Sequence, residues 1–445
     1  MSFFDSLLKT ARDSIGPSVG AVTQSLEDGS GYVREAAILR AASMDNPELP
    51  PLVAARLNDW VPQVRDAARR AILALLPRLS SHAIVALLPH IFALRRKGRT
   101  DHTQWLAHFE RESLAIIHTA DLIGAIRGRH VQLARAAYDL AARHGLLEAD
   151  LLAQLALANR ADIVTSVRAA SAIRLLPSAR QLPLYVHAMR SHFGPVRTIA
   201  IQGLLQHPDL KDKAAFAQTW LLDPQSSVRS VAIAFLLAAQ FDARQYYRAR
   251  LDDNGTAIAQ LRISLTSLSS LHNAADADLA RRFATHPRIS VRQVACVAWL
   301  RLVPAEKDAV ARAALADCSP RLNRTALDMV RRQGAYIAFA DLRDDLLLRR
   351  EWRLLLQFAE SDPWNWLEAI CWIAIVTGID DAVRPLLTTS LRAWTKSNRA
   401  FTWPQPKQQG FITSEGACGI YRALEDSGAS VMEQVQARLS MGTRR

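Results

Sequence analysis

The chain has 445 residues, 50% of them hydrophobic, and it carries a formal net charge of +13. Its apolar content is too high for a disordered chain, so we expect a folded protein. The longest apolar run, residues 366–379, is about fourteen residues long and contains Glu368, whereas a transmembrane helix needs roughly 20. No integral membrane segment is expected, and the positive charge favours an acidic partner: nucleic acid, anionic membrane or acidic protein.

The cysteines and the first residues indicate the compartment. Cys296, Cys318, Cys371 and Cys418 stand far apart without a C-x-x-C pair, which favours buried thiols in a reducing environment. Residues 1–9 place Asp5 where a signal peptide would have an apolar run. We therefore expect a cytoplasmic protein, whose residues 1–20 form an N-terminal helical cap.

A Val-Arg dipeptide recurs along residues 21–340, and two small apolar residues stand three and four residues after its valine. Apart from one step of 67 residues, the copies are 29 to 36 residues apart. A fixed period of this length predicts stacked repeat units. The nine copies, three of them weaker, start at Val33, Val64, Val131, Val167, Val196, Val228, Leu261, Val291 and Leu322.

Helical spacing follows each copy of the pattern. After Val64, for example, apolar residues stand at Ala67, Ala68, Ala71 and Ile72, as on one face of a helix. A turn sequence precedes each copy, as in residues 223–227, and an amphipathic stretch precedes the turn. Each unit is therefore predicted to be a pair of helices.

Two helices per unit, with Asp-Pro-x-x-x-Val-Arg at the second helix, resemble the HEAT-repeat family, and residues 223–232 are the best copy. The resemblance covers roughly residues 20–335. It implies an all-α fold, a right-handed α-solenoid of about nine or ten armadillo-like helical hairpins. Members of the family are mostly scaffolds, adaptors and transport factors, with a few nucleic-acid enzymes, so the resemblance implies partner binding without saying which partner.

The repeated arginine admits two hypotheses. It forms either a ladder of phosphate contacts or, as the resemblance implies, a structural ladder between neighbouring repeats, and we favour the structural ladder. The members are Arg34, Arg65, Arg168, Arg197, Arg229, Arg262 and Arg292.

The columns five and six residues after each copy test for a phosphate-binding groove. Only Arg69 and Arg70 are basic there, whereas a groove that follows a nucleic-acid backbone needs several aligned cations. The other members are mostly small or aliphatic. They either accept an amphipathic helix or an extended peptide, or pack against neighbouring helices, which we favour.

The long step contains the densest basic cluster, in an enlarged or degenerate unit near residues 92–130. Arg95, Arg96, Lys97 and Arg99 are candidate contacts to nucleic acid or a partner. Trp105 and Phe109 follow and could stack on bases. The alternative, a solvated loop after a helix, is favoured.

Residues 341–445 form a separate, tryptophan-rich segment with six of the chain's ten tryptophans. Asp362 is predicted to cap a helix with Pro363 in its first turn. Further helices are expected over 381–394 and 431–439, while Pro404 and Pro406 should exclude helix from 396–410. We expect a helical cap for the repeats.

The alternative for this segment is a partner-binding module. Exposed tryptophan and arginine side chains are typical binding anchors. Its centre would consist of Trp394, Arg399, Phe401 and Trp403.

No catalytic motif is evident. Residues 16–20 match G-x-S-x-G, but they lack the preceding strand that the serine-hydrolase motif requires. No histidine cluster has metal-ligand spacing and no glycine-rich phosphate loop occurs, so no metal or cofactor is expected. We expect a non-enzymatic scaffold for a protein partner.

The alternative function is nucleic-acid binding. It includes a base-processing enzyme similar to the DNA glycosylases that resemble HEAT stacks. In those enzymes a carboxylate acts beside aromatic side chains. Asp59 with Trp60, or Asp223 with Trp220, would supply such a pair, although no motif of those enzymes is matched.

Overall fold

The computed structural model describes residues 10, 15–16, 18–96, 99–317, 319–397, 402–424 and 431–440. All regular secondary structure in these residues is helical, and no β-strand occurs among them. This confirms the all-α fold class. Most of the expected N-terminal cap over residues 1–20 lies outside the described residues.

The chain divides into two compact units, Met1–Phe241 and Asp242–Arg445. In the described part of the first unit, the α-helices are α1 (Val19–Leu26), α2 (Gly31–Ser43), α3 (Leu49–Ala55), α4 (Pro62–Leu75), α5 (Ser81–Ala93), α6 (Thr103–Leu114), α7 (Thr119–Arg127), α8 (Val131–His144), α9 (Ala149–Ala158), α10 (Ile163–Ala172), α11 (Ser178–Met189), α12 (Gly194–Gln206), α13 (Lys213–Thr219) and α14 (Ser226–Ala238).

In the second unit, the described residues form α15 (Ala243–Asp252), α16 (Ile258–Ser270), α17 (Ala277–Phe283), α18 (Ile289–Leu302), α19 (Lys307–Ala316), α20 (Pro320–Gln333), α21 (Phe339–Leu348), α22 (Trp352–Ala359), α23 (Pro363–Thr377), α24 (Arg384–Lys396), α25 (Pro406–Ile412), α26 (Glu415–Leu424) and α27 (Val431–Ser440).

Each copy of the Val-Arg pattern starts within the first five residues of a helix, and we call such a helix a second helix. The helix before it, called a first helix, packs against it in the same unit. The leading Val or Leu is generally buried; Val64, Val196 and Val228 are completely so. The small residues after it are buried as well, which lets the two helices approach closely. The second helices are α2, α4, α8, α10, α12, α14, α16, α18 and α20.

The step of 67 residues between Val64 and Val131 accommodates two helices without the pattern, α5 and α6. Short 3₁₀ turns, Leu76–Arg78 and Leu94–Arg96, precede and follow α5. α5 packs directly against α8, the next second helix. The core therefore continues past the irregular interval.

The C-terminal predictions are confirmed in part. Asp362 caps α23, because its carboxylate accepts hydrogen bonds from the N–H groups of Trp364 and Asn365 at 2.9 and 3.0 Å. The predicted final helix is α27. Helix α24 starts at Arg384, three residues later than expected.

The prediction that prolines exclude helix from residues 396–410 is wrong at Pro406. This residue opens α25, because a missing N–H costs nothing in the first turn of a helix. Helix α26 was not predicted.

None of the helices in the described residues is both long enough and apolar enough to cross a membrane.

Candidate functional site

The repeated arginines bind the turns between helices. The guanidinium of Arg34, only 3% exposed, donates to both carboxylate oxygens of Asp59 at 2.9 and 2.8 Å. Its remaining nitrogen donates to the carbonyls of Asp28 and Gly29, six and five residues earlier. One side chain thus joins the turn of its own repeat to the turn of the next repeat.

The same arrangement recurs in both compact units of the chain. Arg197 binds Asp223 with two hydrogen bonds of 2.8 Å and the carbonyl of Ser191. Arg292 binds Asp317 at 2.6 Å and the carbonyl of His286, again six residues earlier. Each of these aspartates lies five residues before the next Val-Arg copy. We call one Arg–Asp pair of this kind a rung.

Rungs are missing or altered where that upstream aspartate is absent. Position 191, ahead of Val196, is a serine, and Arg168 pairs instead with Asp139, at 2.6 Å. Position 286 is a histidine, and Arg262 is exposed without an ion pair in the described residues. The ladder therefore depends on two residues per unit.

Electrostatics favour the ionised form of the rung aspartates. Burial raises the pKa of Asp59, but hydrogen bonds from Arg34 and the Val61 N–H, together with the positive charges of Arg34 and Arg56, outweigh burial and lower it below 3.8. The pKa of Asp317 is lowered by the same balance, with Arg292 as donor. These carboxylates are fixed anions at neutral pH.

The rungs contain the two candidate carboxylates of the glycosylase-like hypothesis. Asp59 and Asp223, its two candidate carboxylates, are both buried and bound by arginine. Trp60 is 65% exposed, but Arg34 lies 5.2 Å from its ring centre on the buried side. A carboxylate that is already hydrogen-bonded on both oxygens is poorly placed to activate a substrate.

The basic cluster near residue 95 is organised by a buried carboxylate. Glu110, 5% exposed, binds Arg95, Arg143 at 2.8 Å and His144 at 3.0 Å. The two guanidinium groups also lie over the ring of Phe92, 5.0 and 4.8 Å from its centre. Burial raises the pKa of Glu110, but its three donors lower it overall. Sequence reasoning missed Glu110, and Arg95 is occupied by it.

The other candidates of this cluster are divided. Arg99 donates to the carbonyl of Asn58 at 2.9 Å, Arg96 is exposed, and Lys97 lies outside the described residues. Phe109 is completely buried and stacks on Trp105, which corrects the expectation that both rings could stack on bases. A cavity of about 500 Å³ lies between Arg95, His102, Glu110 and neighbouring residues.

The two columns after the Val-Arg copies differ in exposure at some copies, although Ala137, Ile173 and Ser267 of the sixth column are buried. The fifth position is buried at Ile38, Ile201 and Cys296, so these side chains pack in the core rather than line a groove. The sixth position is exposed at Gln202 and Ala234, on α12 and α14. Only the second column lies on a surface there.

Of the C-terminal candidates, Trp394 and Trp403 lie in the described residues, and one of them is buried while the other is exposed. Trp394 is completely buried, and its Nε1 donates to the carbonyl of Pro363 at 2.7 Å. The interpretation of Trp394 as an exposed anchor is therefore wrong, because packing against α23 encloses it. Trp403 is 53% exposed, and Arg399 and Phe401 lie outside the described residues.

One constellation resembles a hydrolytic triad. His207 Nε2 is 3.1 Å from the hydroxyl of Ser178, and its Nδ1 is 3.9 Å from the Asp209 carboxylate. However, the backbone N–H of Asp209 donates to Nδ1 at 3.2 Å, so the ring proton is on Nε2, which is 3.0 Å from the Ser178 carbonyl. A general base needs the opposite tautomer.

Metal and thiol chemistry have no focus among the described residues. They contain no group of three or more His, Cys, Asp or Glu that could hold a metal ion. Burial raises the pKa of Cys296 to about 11 and that of Cys371 to about 12, so both thiols stay protonated and unreactive. Cys318 lies outside the described residues.

Comparison with known proteins adds no assignment: no protein-family model matches the chain, and no curated protein sequence matches it.

The rungs predict a sharp contrast between two arginines at the same place in the repeat. Arg34→Ala should lower the free energy of unfolding by about 3 to 5 kcal/mol, because it leaves Asp59 buried without its partner. Arg262→Ala, at an exposed position without a rung, should change it by less than about 0.5 kcal/mol. Urea unfolding followed by circular dichroism measures both, and equal losses would contradict the role of the rung.

Acid should destabilise the protein through the same carboxylates. Folding lowers the pKa of Asp59, so its stabilisation is complete above the unfolded-state pKa of 3.8 and is lost as the pH falls through the lower folded-state value. The urea midpoint should therefore decrease below about pH 4. Asp59→Asn should unfold at lower urea concentration at pH 7 and lose less on acidification. An unchanged acid response in this variant would exclude Asp59 as a contributor.

Proposed function

We propose that the protein is a non-catalytic scaffold of the HEAT-repeat type that binds a protein partner in the cytoplasm. In this proposal the chain is a right-handed α-solenoid of about nine or ten helical hairpins, closed by the Trp-rich C-terminal cap. Repeat architectures bury each unit only on its neighbours and leave long surfaces for partners. The all-helical fold and the packing of helices on their sequence neighbours support the architecture.

The observation that carries the function is a surface without charged side chains in a chain whose net charge is +13. Charged residues make up 22% of the sequence, yet α10, α12 and α14 each contain one charged side chain, the arginine of the Val-Arg pattern. Adjacent exposed positions of α12 and α14 form what we call the neutral face. Its members are Gln202, Gln206, Ser230, Ala234 and Leu237.

The neutral face suits a polypeptide better than a nucleic acid. Leu237 is 54% exposed, and its neighbours on the face are small or carry amides and hydroxyls. Such a surface gives apolar contact and hydrogen bonds, the usual components of protein interfaces, whose centres are depleted of charge. A phosphate backbone requires cations, which this face lacks.

Charge placed on the neutral face should abolish partner capture. The face variant combines Gln202→Glu with Ala234→Glu, and the control combines Ala313→Glu with Gln357→Glu, two exposed positions of the second unit. After cross-linking in the native host, quantitative mass spectrometry should find a protein retained by wild type and control but reduced about ten-fold with the face variant.

Identical capture by all three forms would contradict the proposal. The nucleic-acid alternative is tested separately by anisotropy of a labelled DNA duplex over a salt series. Tight binding at low salt with a steep salt slope, lost on changing Arg95, Arg96 and Arg99 to Glu, would replace the scaffold by a nucleic-acid-binding function.

A further inference from the structure

Four arginines lie on the turns that join first to second helices in the middle of the first unit. Arg127 is the last residue of α7 and Arg129 follows it, Arg160 follows α9, and Arg190 follows α11. All four are exposed, and none forms an ion pair within the described residues. We call this group the basic edge.

The turns of the basic edge lie side by side. The Asn159 amide donates to the carbonyl of Ile126 at 2.6 Å and to that of Gly128 at 3.3 Å, which holds the turn after α9 against the turn after α7. At the opposite end of the same layer, Arg180 at the start of α11 is 3.6 Å from Asp150 at the start of α9. Helices α7, α9 and α11 therefore run in one direction and end together.

Carboxylates are scarce at the end of this layer that carries the basic edge. Residues 126–135, 158–168 and 189–198 contain seven arginines and a single carboxylate, Asp162. Asp162 is buried and bound by Arg135, while Arg168 and Arg197 pair with aspartates elsewhere. The basic edge thus keeps four uncompensated positive charges, whereas Asp121, Glu148 and Asp150 lie at the opposite end.

An apolar groove opens beside the basic edge. It runs between α7, α9 and α11, has a volume of about 420 Å³, and includes Arg127 among its lining residues. Leu151, Leu155, Ala158 and Leu184 form much of its wall. The surface therefore joins fixed positive charges to a cleft that can accommodate aliphatic side chains.

We propose that the basic edge and this groove bind an acidic polypeptide segment with interspersed aliphatic side chains. The inference rests on the proposed function and names the chemistry of the partner. Neighbouring helices in such a layer are about 8 to 10 Å apart, which sets the distance between successive arginine-bearing turns. Carboxylates on every third residue of a peptide in the polyproline II conformation lie on one side of it and recur at about 9 Å, which matches that distance.

A nucleic acid fits this surface less well. Single-strand binding uses aromatic side chains as stacking platforms, whereas the groove is lined mainly by aliphatic residues, with Arg127 and Gln154 as polar members and His187 as the aromatic one. A phosphate backbone would gain nothing from Leu151 and Leu155. The polypeptide uses both the charges and the groove.

The test uses three fluorescein-labelled probes and full-length protein. The probes are an 18-residue peptide of six Glu-Leu-Ser repeats, its Gln-Leu-Ser counterpart and an 18-nucleotide oligo-dT. The edge variant combines R127Q, R129Q, R160Q and R190Q. The control variant removes the same charge through R262Q, R312Q, R324Q and R353Q, all exposed and without an ion pair in the described residues.

Wild type should bind the Glu peptide more tightly than the other two probes. The edge variant should raise the Kd for the Glu peptide about ten-fold and the control variant less than about two-fold. Added salt should reduce the difference, because exposed charges are screened. Circular dichroism melting confirms that both variants are folded. Equal weakening by both variants, or tighter binding of oligo-dT than of the Glu peptide, overturns the inference.

The capture experiment separates this inference from the function beneath it. A partner that the edge variant still retains, but the face variant loses, would contradict the basic edge and leave the scaffold function intact. A partner lost from both variants supports both. Absence of any captured protein, together with salt-sensitive oligo-dT binding, would contradict both.

Discussion

The pairing of a buried arginine with an aspartate of the next repeat is the interaction on which the structure depends. A turn between two helices leaves carbonyl groups without helical partners, and a buried aspartate needs donors. Arg34 satisfies both, since it binds the carbonyls of its own turn and both oxygens of Asp59. Removing either partner would leave a charge buried without compensation. This interaction therefore fixes the register between neighbouring repeats and also stabilises the fold.

The ladder also limits where function can be located. The rung arginines are used within the protein, and so are Arg95 and Arg143, which hold Glu110. Two surfaces of the first unit lie outside this ladder, namely the neutral face on α12 and α14 and the basic edge at the ends of α7, α9 and α11. One surface offers apolar and amide contacts, and the other offers arginines that form no ion pair among the described residues. A protein partner can use both kinds of contact.

The sequence predicts the helical pairs well, because one motif recurs and buries the same positions each time. The Asp362 cap and the helix at residue 431 follow from equally local rules. The rungs could also be predicted from the sequence. Where an aspartate stands five residues before a Val-Arg copy, it pairs with the arginine of the preceding copy if that copy has one, as for Arg34, Arg197 and Arg292. Burial that depends on packing between distant segments could not be predicted from the sequence. Trp394 and Phe109 could be exposed or buried by their sequence alone, and the fold shows that both are buried. The basic edge escaped notice because its arginines precede the motif by two to seven residues, at no constant position.

A double-mutant cycle on Arg197 and Asp223 tests the central claim most directly. The account predicts that Arg197→Ala and Asp223→Ala each destabilise the protein and that their effects are strongly non-additive. A coupling free energy of about 1 to 3 kcal/mol, measured by urea unfolding, is expected for a partly buried pair with two 2.8 Å hydrogen bonds. A coupling energy near zero would contradict the account, because the arginine would then be free for a ligand.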